Sequence, residues 1–189
     1  MDKGLLIIIS GPSGVGKGTV REFLMKDKNL NLNYSISCTT RKPRNGEIDG
    51  KDYFFLSKEQ FIKDLNDNMF LEYAEFCGNY YGTPKNYIEK LRNEGKNVIL
   101  EIETTGARKL IPLMDHKKEI SIFILPPSLK ELESRIRGRN TEPENIIIER
   151  LEKAKIELLL AKEYDYQVIN DTPLSCANKI VDIIKECTK

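Results

Sequence analysis

Short apolar runs alternate along this chain with longer segments in which apolar residues recur with a helical period. Continuous apolar runs are typical of strands buried on both faces, and amphipathic segments between them are typical of crossover helices. The alternation predicts an α/β fold in which a doubly wound parallel sheet of about five strands carries helices on both faces. The predicted core strands are Leu5–Ser10, Asn33–Ser37, Asn97–Ile102, Ile120–Leu125 and Tyr166–Ile169.

The ends of several predicted helices are marked by their residue types. Gly95 is placed to end a helix that starts near Pro84, because glycine readily adopts the left-handed backbone conformation that follows many helices. A further helix is predicted over residues 143–163. A Ser or Thr followed three residues later by Glu or Gln is the pattern of a capped helix N-terminus. This pattern occurs at Ser57, Ser128 and Thr141.

Two segments interrupt the alternation. Residues 39–87 are rich in Arg, Gly and Tyr and predict small strands with one helix, and residues 135–150 are rich in arginine. In a doubly wound sheet, ligands bind at the carboxyl ends of the strands, which is where such insertions would close. We therefore expect a single domain over residues 1–189. Its core would comprise residues 1–36, 91–127 and 156–189, with an inserted small mixed α+β flap over about residues 37–90 and a helical lid over about residues 128–155.

The charge balance and the cysteine content limit which partners and which cellular compartment are expected for this protein. The chain has 189 residues, with 30 Lys and Arg against 29 Asp and Glu, which gives a net charge of +1. This balance provides no overall attraction to nucleic acids or membranes, so neither is an expected partner. The chain shows no membrane-spanning apolar run and no signal peptide, and its four cysteines lack metal-binding or disulfide spacing. We expect a cytoplasmic protein with reduced thiols.

A candidate nucleotide site directly follows the first predicted strand. The stretch Gly11-Pro12-Ser13-Gly14-Val15-Gly16-Lys17 lies between this strand and a predicted helix. Glycines allow successive backbone N–H groups to converge on an anion, and the helix N-terminus adds positive potential. Lys17 would then reach the outer phosphates of a nucleoside triphosphate. The usual pattern continues with a Ser or Thr that binds magnesium, but here Gly18 and Thr19 follow, so Thr19, water or the phosphates alone would complete the metal site.

A second candidate site is basic. Arg41 and Arg44 lie three residues apart with Pro43 between them, so two guanidinium groups are presented on a stiff turn. Guanidinium groups bind phosphate oxygens in pairs, and the hydroxyl of Tyr53 would add a donor. On charge alone, a solvated basic loop is the alternative.

Acids and further arginines lie at other predicted strand and helix ends. Glu101 and Glu103 are two apart on a strand, so both would face the glycine-rich loop, where one could order the water ligands of Mg²⁺. Arginines cluster around Gly138, and positioned cations stabilise the charge that spreads over the oxygens during phosphoryl transfer. These arginines are Arg135, Arg139 and Arg150, for which surface salt bridges are the alternative.

The residues around Arg41 carry a resemblance to a known family. In the segment 39–56, Thr-Thr-Arg is followed at fixed spacings by a basic residue, an acid, a glycine, a tyrosine and an aromatic residue. Together with the glycine-rich loop, this segment resembles the guanylate kinases, and the resemblance extends from Gly11 to Asp171. Enzymes of this family transfer the γ-phosphate of ATP to GMP in purine nucleotide metabolism and give ADP and GDP. The resemblance therefore implies a P-loop kinase that uses ATP, Mg²⁺ and GMP, and dGMP as well.

The resemblance also implies a role for each candidate residue. It assigns the transfer chemistry to Lys17, Arg41, Arg135, Arg139 and Arg150. It assigns ATP binding to Gly11-Pro12-Ser13-Gly14-Val15-Gly16-Lys17-Gly18-Thr19, with Asn170 at the adenine. It assigns the GMP phosphate to Arg41, Arg44, Tyr53 and Tyr81, and the guanine base to Ser37, Glu72, Thr83 and Glu103. Magnesium would be held by the ATP phosphates and water, with Thr19 and Glu101 as candidate ligands.

Guanine recognition by Glu72 has a chemical basis. Guanine presents N1–H and its 2-amino group as donors, which one carboxylate accepts together, whereas adenine would leave that carboxylate unpaired. The stretch 101–106 departs from the family, which has Asp-Ile-Asp at its start and a glutamine before the glycine. Here Glu101 and Glu103 are each one methylene longer, and Thr105 replaces the glutamine.

Two other functions fit parts of the pattern. Guanylate-kinase-like domains of scaffold proteins bind phosphorylated peptides, but they typically lose the P-loop, whose lysine is present here as Lys17. A kinase for another acceptor, such as AMP, UMP or a small phosphorylated sugar, would have no use for a guanine site at Ser37 and Glu72. We expect a monomer, with a homo-oligomer as the alternative.

Overall fold

The computed structural model of the chain describes residues 2–76, 78–138 and 143–188. Its strands are β1 (Leu6–Ser10), β2 (Leu32–Tyr34), β3 (Cys38–Thr39), β4 (Phe54–Phe55), β5 (Phe70–Phe76), β6 (Asn79–Pro84), β7 (Asn97–Glu101), β8 (Glu119–Leu125) and β9 (Tyr166–Ile169). Its α-helices are α1 (Lys17–Leu24), α2 (Lys58–Asn66), α3 (Lys85–Asn93), α4 (Thr104–Leu110), α5 (Leu129–Arg137), α6 (Glu144–Leu159) and α7 (Pro173–Cys187). Short 3-10 helices occupy Lys28–Leu30, Ile111–Leu113 and Leu160–Glu163.

The central sheet confirms the predicted architecture. Its five strands follow the order β2-β7-β1-β8-β9, and each neighbouring pair is parallel. Because β1 lies between β7 and β8, the loops that follow these three strands emerge side by side at one edge of the sheet. Ligand sites of open parallel sheets form at this edge.

Both faces of β1 are buried, which explains its uninterrupted apolar sequence. Ile7 and Ile9 pack into a core with residues of α1, α5, α6 and α7, whereas Leu6 and Ile8 pack into a second core with residues of α3 and α4. Each of these four side chains is at most 4% exposed. Burial of such side chains contributes about 2 kcal/mol each, so β1 is held in place from both sides.

A second sheet lies in the segment for which small strands were predicted. Its four strands follow the order β4-β3-β6-β5, with β3 parallel to β4 and the other pairs antiparallel. Helix α2 covers it through Phe61, which is fully buried and stacks on the rings of Phe70 and Tyr80 at centroid distances of 4.5 and 5.4 Å. The insertion is therefore a mixed sheet with its own aromatic core.

One predicted strand and one predicted helix end earlier than expected. The strand predicted at 33–37 is β2, which ends at Tyr34. Ser35 still donates its backbone N–H to Ile99 at 2.8 Å, but the carbonyl of Ser37 accepts from Phe54 of the second sheet at 2.9 Å. The prediction of its end was wrong because the second sheet competes for this backbone. The helix predicted over 143–163 is α6, and a 3-10 turn follows it.

The predicted helix ends are confirmed where the structure describes them. The hydroxyls of Ser57 and Ser128 each accept the backbone N–H three residues later at 3.1 Å. Gly95 has a φ of 75° and donates to the carbonyl of Arg92, which ends α3. Thr141 lies outside the described residues. Within 2–76, 78–138 and 143–188, no helix has both the length and the apolar composition needed to cross a membrane.

Candidate active site

Three adjoining cavities open at the carboxyl edge of the central sheet. The P-loop cavity, of about 190 Å³, is lined by the glycine-rich loop, the end of β7 and α6. The flap cavity, of about 510 Å³, lies between the second sheet and the start of α4. The Arg21 cavity, of about 490 Å³, lies beside it and is lined by Arg21, Tyr34 and Glu47 among others. Glu101 lines all three cavities, so they converge on the end of β7.

Two glycines give the P-loop its shape. Gly16, directly before α1, has a φ of 98° in the left-handed region that favours glycine. A Cβ on Gly11 would lie 2.5 Å from the carbonyl oxygen of Ile124 on β8, so the loop can approach β8 only with glycine there. A Cβ on Gly18, in contrast, would meet no heavy atom within 4 Å. Packing therefore does not exclude the Ser or Thr that is usual at this position.

The ammonium group of Lys17 is folded back onto its own loop. Its Nζ donates to the carbonyls of Gly11 at 2.6 Å and Pro12 at 3.2 Å, and the side chain lines the P-loop cavity. Burial lowers the pKa of Lys17 below its usual 10.5, and nearby carboxylates, Glu101 first, partly oppose this effect. Such a poorly hydrated cation, whose hydrogen bonds go to neutral carbonyls, is well placed to bind an anion that enters the cavity.

The P-loop is also held from its other side, through the carbonyl of Val15. This carbonyl accepts from Asn170 Nδ2 at 2.7 Å and from the Arg135 guanidinium at 3.3 Å. Asn170 is 1% exposed, and a Cβ on Gly16 would lie 2.7 Å from its Nδ2. The structure thus brings Asn170 and Arg135 together on the loop itself. Their assigned contacts with adenine and with ATP phosphates stay predictions.

Arg41 is paired with an acid of the same motif. Its guanidinium donates to both carboxylate oxygens of Glu47, at 3.0 and 2.8 Å, and this hydrogen bonding raises the pKa of Arg41. The guanidinium lies 5.5 Å from the ring centre of Tyr53, which lies 6.1 Å from that of Tyr81. These three predicted phosphate ligands are therefore neighbours, whereas the side chain of Arg44 is exposed.

Glu72 lies at a β-bulge. Between Phe70 and Tyr73 the pairing of β5 with β6 shifts by one residue, so Leu71 and Glu72 together oppose Thr83. Bulges re-aim side chains, and here the Glu72 carboxylate lies in the wall of the flap cavity. The hydroxyl of Thr83 donates to Glu72 Oε1 at 2.5 Å. Thr83 is fully buried, so in this structure it holds Glu72, and its assigned contact with guanine stays a prediction.

The space for the Glu72 carboxylate depends on helix α4. A Cβ on Gly106 would lie 2.6 Å from Glu72 Oε2, so a larger residue there would displace the acid. Burial raises the pKa of Glu72 above its usual 4.5, and the hydrogen bond from Thr83 opposes this shift. Ser37, Tyr81 and Thr105 line the same cavity.

The two acids at the end of β7 differ in their partners. Glu101 is 20% exposed and accepts from Arg21 at 3.4 Å. Glu103, directly before α4, is 63% exposed and is paired with Lys153 at 2.8 Å. Both line the P-loop and flap cavities. Thr19 is exposed and lines none of the three cavities, so Glu101 is the better placed of the two candidate metal ligands.

Helix α6 supplies residues that the sequence analysis did not single out. Arg150 was predicted, and it donates to the hydroxyl of Ser13 at 2.5 Å. Lys153 and Glu157 were missed, although both line the P-loop cavity. Their helical spacing from Arg150 was a usable signal, but the apolar positions of the same helix dominated the pattern. Arg139 lies outside the described residues.

These features together define a class of protein. A P-loop occupies the centre of an open parallel sheet, next to a cavity lined by two tyrosines and a half-buried carboxylate, and a paired arginine lies near one of these tyrosines. A glycine-rich loop of this kind beside a second polar cavity is the arrangement expected of a P-loop phosphotransferase.

The chain belongs to the guanylate kinase family. The family model described as guanylate kinase matches residues 3–187. The guanylate kinase of Mesoplasma florum is 52% identical over 190 residues, which cover 100% of this chain and 63% of that protein. The guanylate kinase of Lactobacillus johnsonii is 45% identical over 183 residues, 97% of this chain and 89% of that protein.

A solved structure agrees with this assignment. The crystal structure of guanylate kinase from Anaplasma phagocytophilum has a TM-score of 0.76 at 33% identity, and the match covers 98% of this chain and 86% of that one. The chain spans less than two thirds of the Mesoplasma florum relative and 61% of the Mycoplasma capricolum relative.

Proposed function

We propose that this protein is a guanylate kinase that transfers the γ-phosphate of ATP to GMP, and to dGMP, to give ADP and GDP. The observation that supports this most directly is the shared wall of the P-loop and flap cavities. Glu101, Ile102, Glu103 and Lys153 line both, so a triphosphate on the loop and an acceptor beside Glu72 would meet there. Similar chains named guanylate kinase support the same reaction.

In the proposed reaction, an oxygen of the GMP phosphate attacks the γ-phosphorus of ATP. The bond to the β–γ bridging oxygen breaks, and its electron pair stays on ADP. The attacking oxygen is already ionised, so no general base is needed, and the residues act by positioning and by charge. Lys17 and Arg150 would hold the donor phosphates, and Arg41, Tyr53 and Tyr81 the acceptor phosphate.

The proposed reaction uses Mg²⁺ with ATP, and the residues of the P-loop cavity fit this ion. Mg²⁺ prefers oxygen ligands, usually one or two carboxylates together with phosphates and water. Glu101 and Glu157 line the cavity, and the second oxygen of Glu157 is buried without a hydrogen-bond partner. Among the described residues, no group of three or more His, Cys, Asp or Glu forms a metal site alone. We therefore propose that phosphates and water hold most of the ion, next to Glu101, where it would neutralise phosphate charge.

The proposal includes closure of the flap over about residues 37–90 and the lid over about residues 128–155, on the core formed by 1–36, 91–127 and 156–189. Closure would expel water, which could otherwise accept the phosphoryl group and waste ATP. The expectations of a monomer and of a cytoplasmic location stay predictions.

An assay of ADP release with ATP, Mg²⁺ and a panel of GMP, dGMP, AMP, UMP and CMP tests the proposed function. We expect fast turnover with GMP and dGMP alone. Turnover with AMP or UMP would instead identify a kinase for another acceptor. If none of the nucleotides reacts, the binding-module alternative gains support, and phosphopeptide binding becomes the next measurement.

Replacing Arg41 with alanine should weaken GMP binding by about tenfold to a hundredfold, because charged hydrogen bonds to the phosphate are lost. Calorimetric titration with GMP measures the effect. Arg108→Ala is the matched control, because Arg108 is exposed and paired with one acid, Glu163. Unchanged GMP affinity in the Arg41 variant would show that the GMP phosphate binds elsewhere.

Replacing Asn170 with alanine should weaken binding of ATP and of base-free tripolyphosphate by similar factors, roughly threefold to tenfold. The reason is that Asn170 holds the carbonyl of Val15 and thereby the whole loop. Titrations with both compounds in the presence of Mg²⁺ distinguish support of the P-loop by Asn170 from contact of Asn170 with the adenine base. A loss for ATP alone would show an adenine contact instead. The exposed Asn86→Ala variant serves as control.

A further inference from the structure

Helix α6 presents one polar face to the P-loop cavity. Arg150, Lys153 and Glu157 are spaced by three and four residues, which places them on the same side of a helix. The apolar stripe that enters the core, which includes Ile147 and Ala154, adjoins this polar face along the helix. The partners of the polar face are Ser13, Glu103 and Thr104, respectively. The middle residue, Lys153, has no role in the proposed function so far.

Lys153 stands between two carboxylates. Its Nζ lies 2.8 Å from Glu103 and 3.8 Å from Glu157, and its side chain is 49% exposed. Glu103 is itself 63% exposed, so this ion pair lies near solvent and contributes at most about 1 kcal/mol to stability. Glu157 is nearly buried and would keep the ammonium close to the cavity after Glu103 is released. Lys153 can therefore change partners at small energetic cost.

The shared wall of the two cavities carries negative charge, which a cation would have to offset for two phosphates to approach each other there. Four residues line both the P-loop cavity and the flap cavity, namely Glu101, Ile102, Glu103 and Lys153. Two of them are acids, which repel the phosphates of both substrates. Of the four, only Lys153 carries positive charge. The place where the phosphoryl group must pass thus has its own cation, separate from Lys17.

We propose that Lys153 is a further catalytic residue, which leaves Glu103 and contacts the phosphoryl group as it passes between the two cavities. The inference rests on the proposed function. The γ-phosphorus bond to ADP breaks and the bond to the GMP oxygen forms, while Lys153 remains protonated and donates hydrogen bonds throughout. Its charge offsets the repulsion between the two anions, which is greatest when both are present.

The chain provides a closely matched control on the same helix. Lys155 is 53% exposed and is paired with Glu152 at 2.7 Å, so its exposure and pairing resemble those of Lys153. Lys155 lines none of the three cavities. Lys153→Met and Lys155→Met therefore remove the same charge from the same helix, at one position that lines the cavities and one that does not.

The test compares steady-state kinetics of these two variants with those of the parent chain. Lys153→Met should lower kcat about tenfold to thirtyfold with KM for GMP and for ATP nearly unchanged, because the contact forms mainly during transfer. Lys153→Arg should recover most of kcat, and Lys155→Met should match the parent. A binding titration uses a bisubstrate compound in which adenosine and guanosine are joined by a chain of phosphates. Lys153→Met should weaken its binding more than it weakens binding of ATP or GMP alone.

Each other outcome overturns the inference. If Lys153→Met changes KM for GMP or the preference for guanine while kcat is kept, Lys153 merely holds Glu103. If the Lys153 and Lys155 variants behave alike, the pair with Glu103 is an ordinary surface salt bridge. A parent chain that does not phosphorylate GMP would refute the proposed function itself, and unaltered bisubstrate binding in Lys153→Met would then separately refute the role of Lys153.

Discussion

Replacing Lys17 with alanine should lower kcat by about a thousandfold, while the fold is kept. Within the part of the chain that the structure describes, the ammonium donates its hydrogen bonds to the carbonyls of Gly11 and Pro12 and forms no salt bridge, so its loss should leave the fold intact. Under the proposed function, it does remove a cation that would contact the ATP phosphates. Turnover is measured by ADP release, with thermal melting to verify the fold.

Lys26→Ala is the control for this substitution, because Lys26 follows the same helix and lies on the ring of Phe23, away from the cavities. A near-normal rate in the Lys17 variant would exclude the P-loop from the reaction. The pH dependence adds a check. Because burial lowers the pKa of Lys17 below 10.5, its charged form is lost as pH rises through that lowered value. Turnover by the parent chain should therefore fall at alkaline pH, and the residual activity of the Lys17→Ala variant should lack this fall.

Replacing Glu72 with glutamine should reduce the preference for GMP over AMP by about a hundredfold. The carboxylate can accept two hydrogen bonds from guanine, whereas the glutamine amide presents a donor to one of the guanine donors. Ratios of kcat/KM for the two nucleotides measure the effect. Glu59→Gln, on the exposed side of α2, is the control. A Glu72 variant as selective as the parent would rule out recognition of guanine by this carboxylate.

The raised pKa of Glu72 gives this prediction a pH signature. Guanine donors require the ionised carboxylate, and burial favours its neutral form. GMP affinity should therefore fall as pH decreases through a value above 4.5, and the Glu72→Gln variant should lose this fall. Binding by the parent that stays constant over the acidic range would contradict the assignment.

The sequence predicted the fold well because its main signals are local. The apolar runs of β1, β7 and β8 are continuous since both faces of these strands are buried, and the caps at Ser57 and Ser128 depend on neighbouring residues alone. The order of the strands is not encoded in any one segment. The end of β2 was wrong for the same reason, because the backbone of Ser37 pairs with a strand that lies later in the chain.

The candidate site was predicted as far as motifs extend. The loop around Lys17 and the segment around Arg41 combine fixed spacing with specific chemistry, so candidate residues could be named there, and their roles stay predictions. The bulge that places Glu72 opposite Thr83 arises from the pairing of two strands, and no pattern within β5 reveals it. The pair between Glu103 and Lys153 joins residues 50 positions apart, which sequence spacing cannot indicate.

The packing of helix α6 couples the stability of the core to the position of the side chains proposed to act in phosphoryl transfer. The buried residue Ala154 of this helix adjoins Lys153 in sequence and packs in the core with residues of the central sheet. The position of the helix therefore depends on how the core packs around Ala154. A larger residue at Ala154 would tilt helix α6 and shift Arg150 and Lys153 relative to the P-loop, even if the core accommodated the larger side chain. A displacement of about 1 Å at reacting groups can slow a reaction by about a hundredfold. Under the proposed function, variants whose core around α6 is repacked for heat resistance should therefore have a lower kcat.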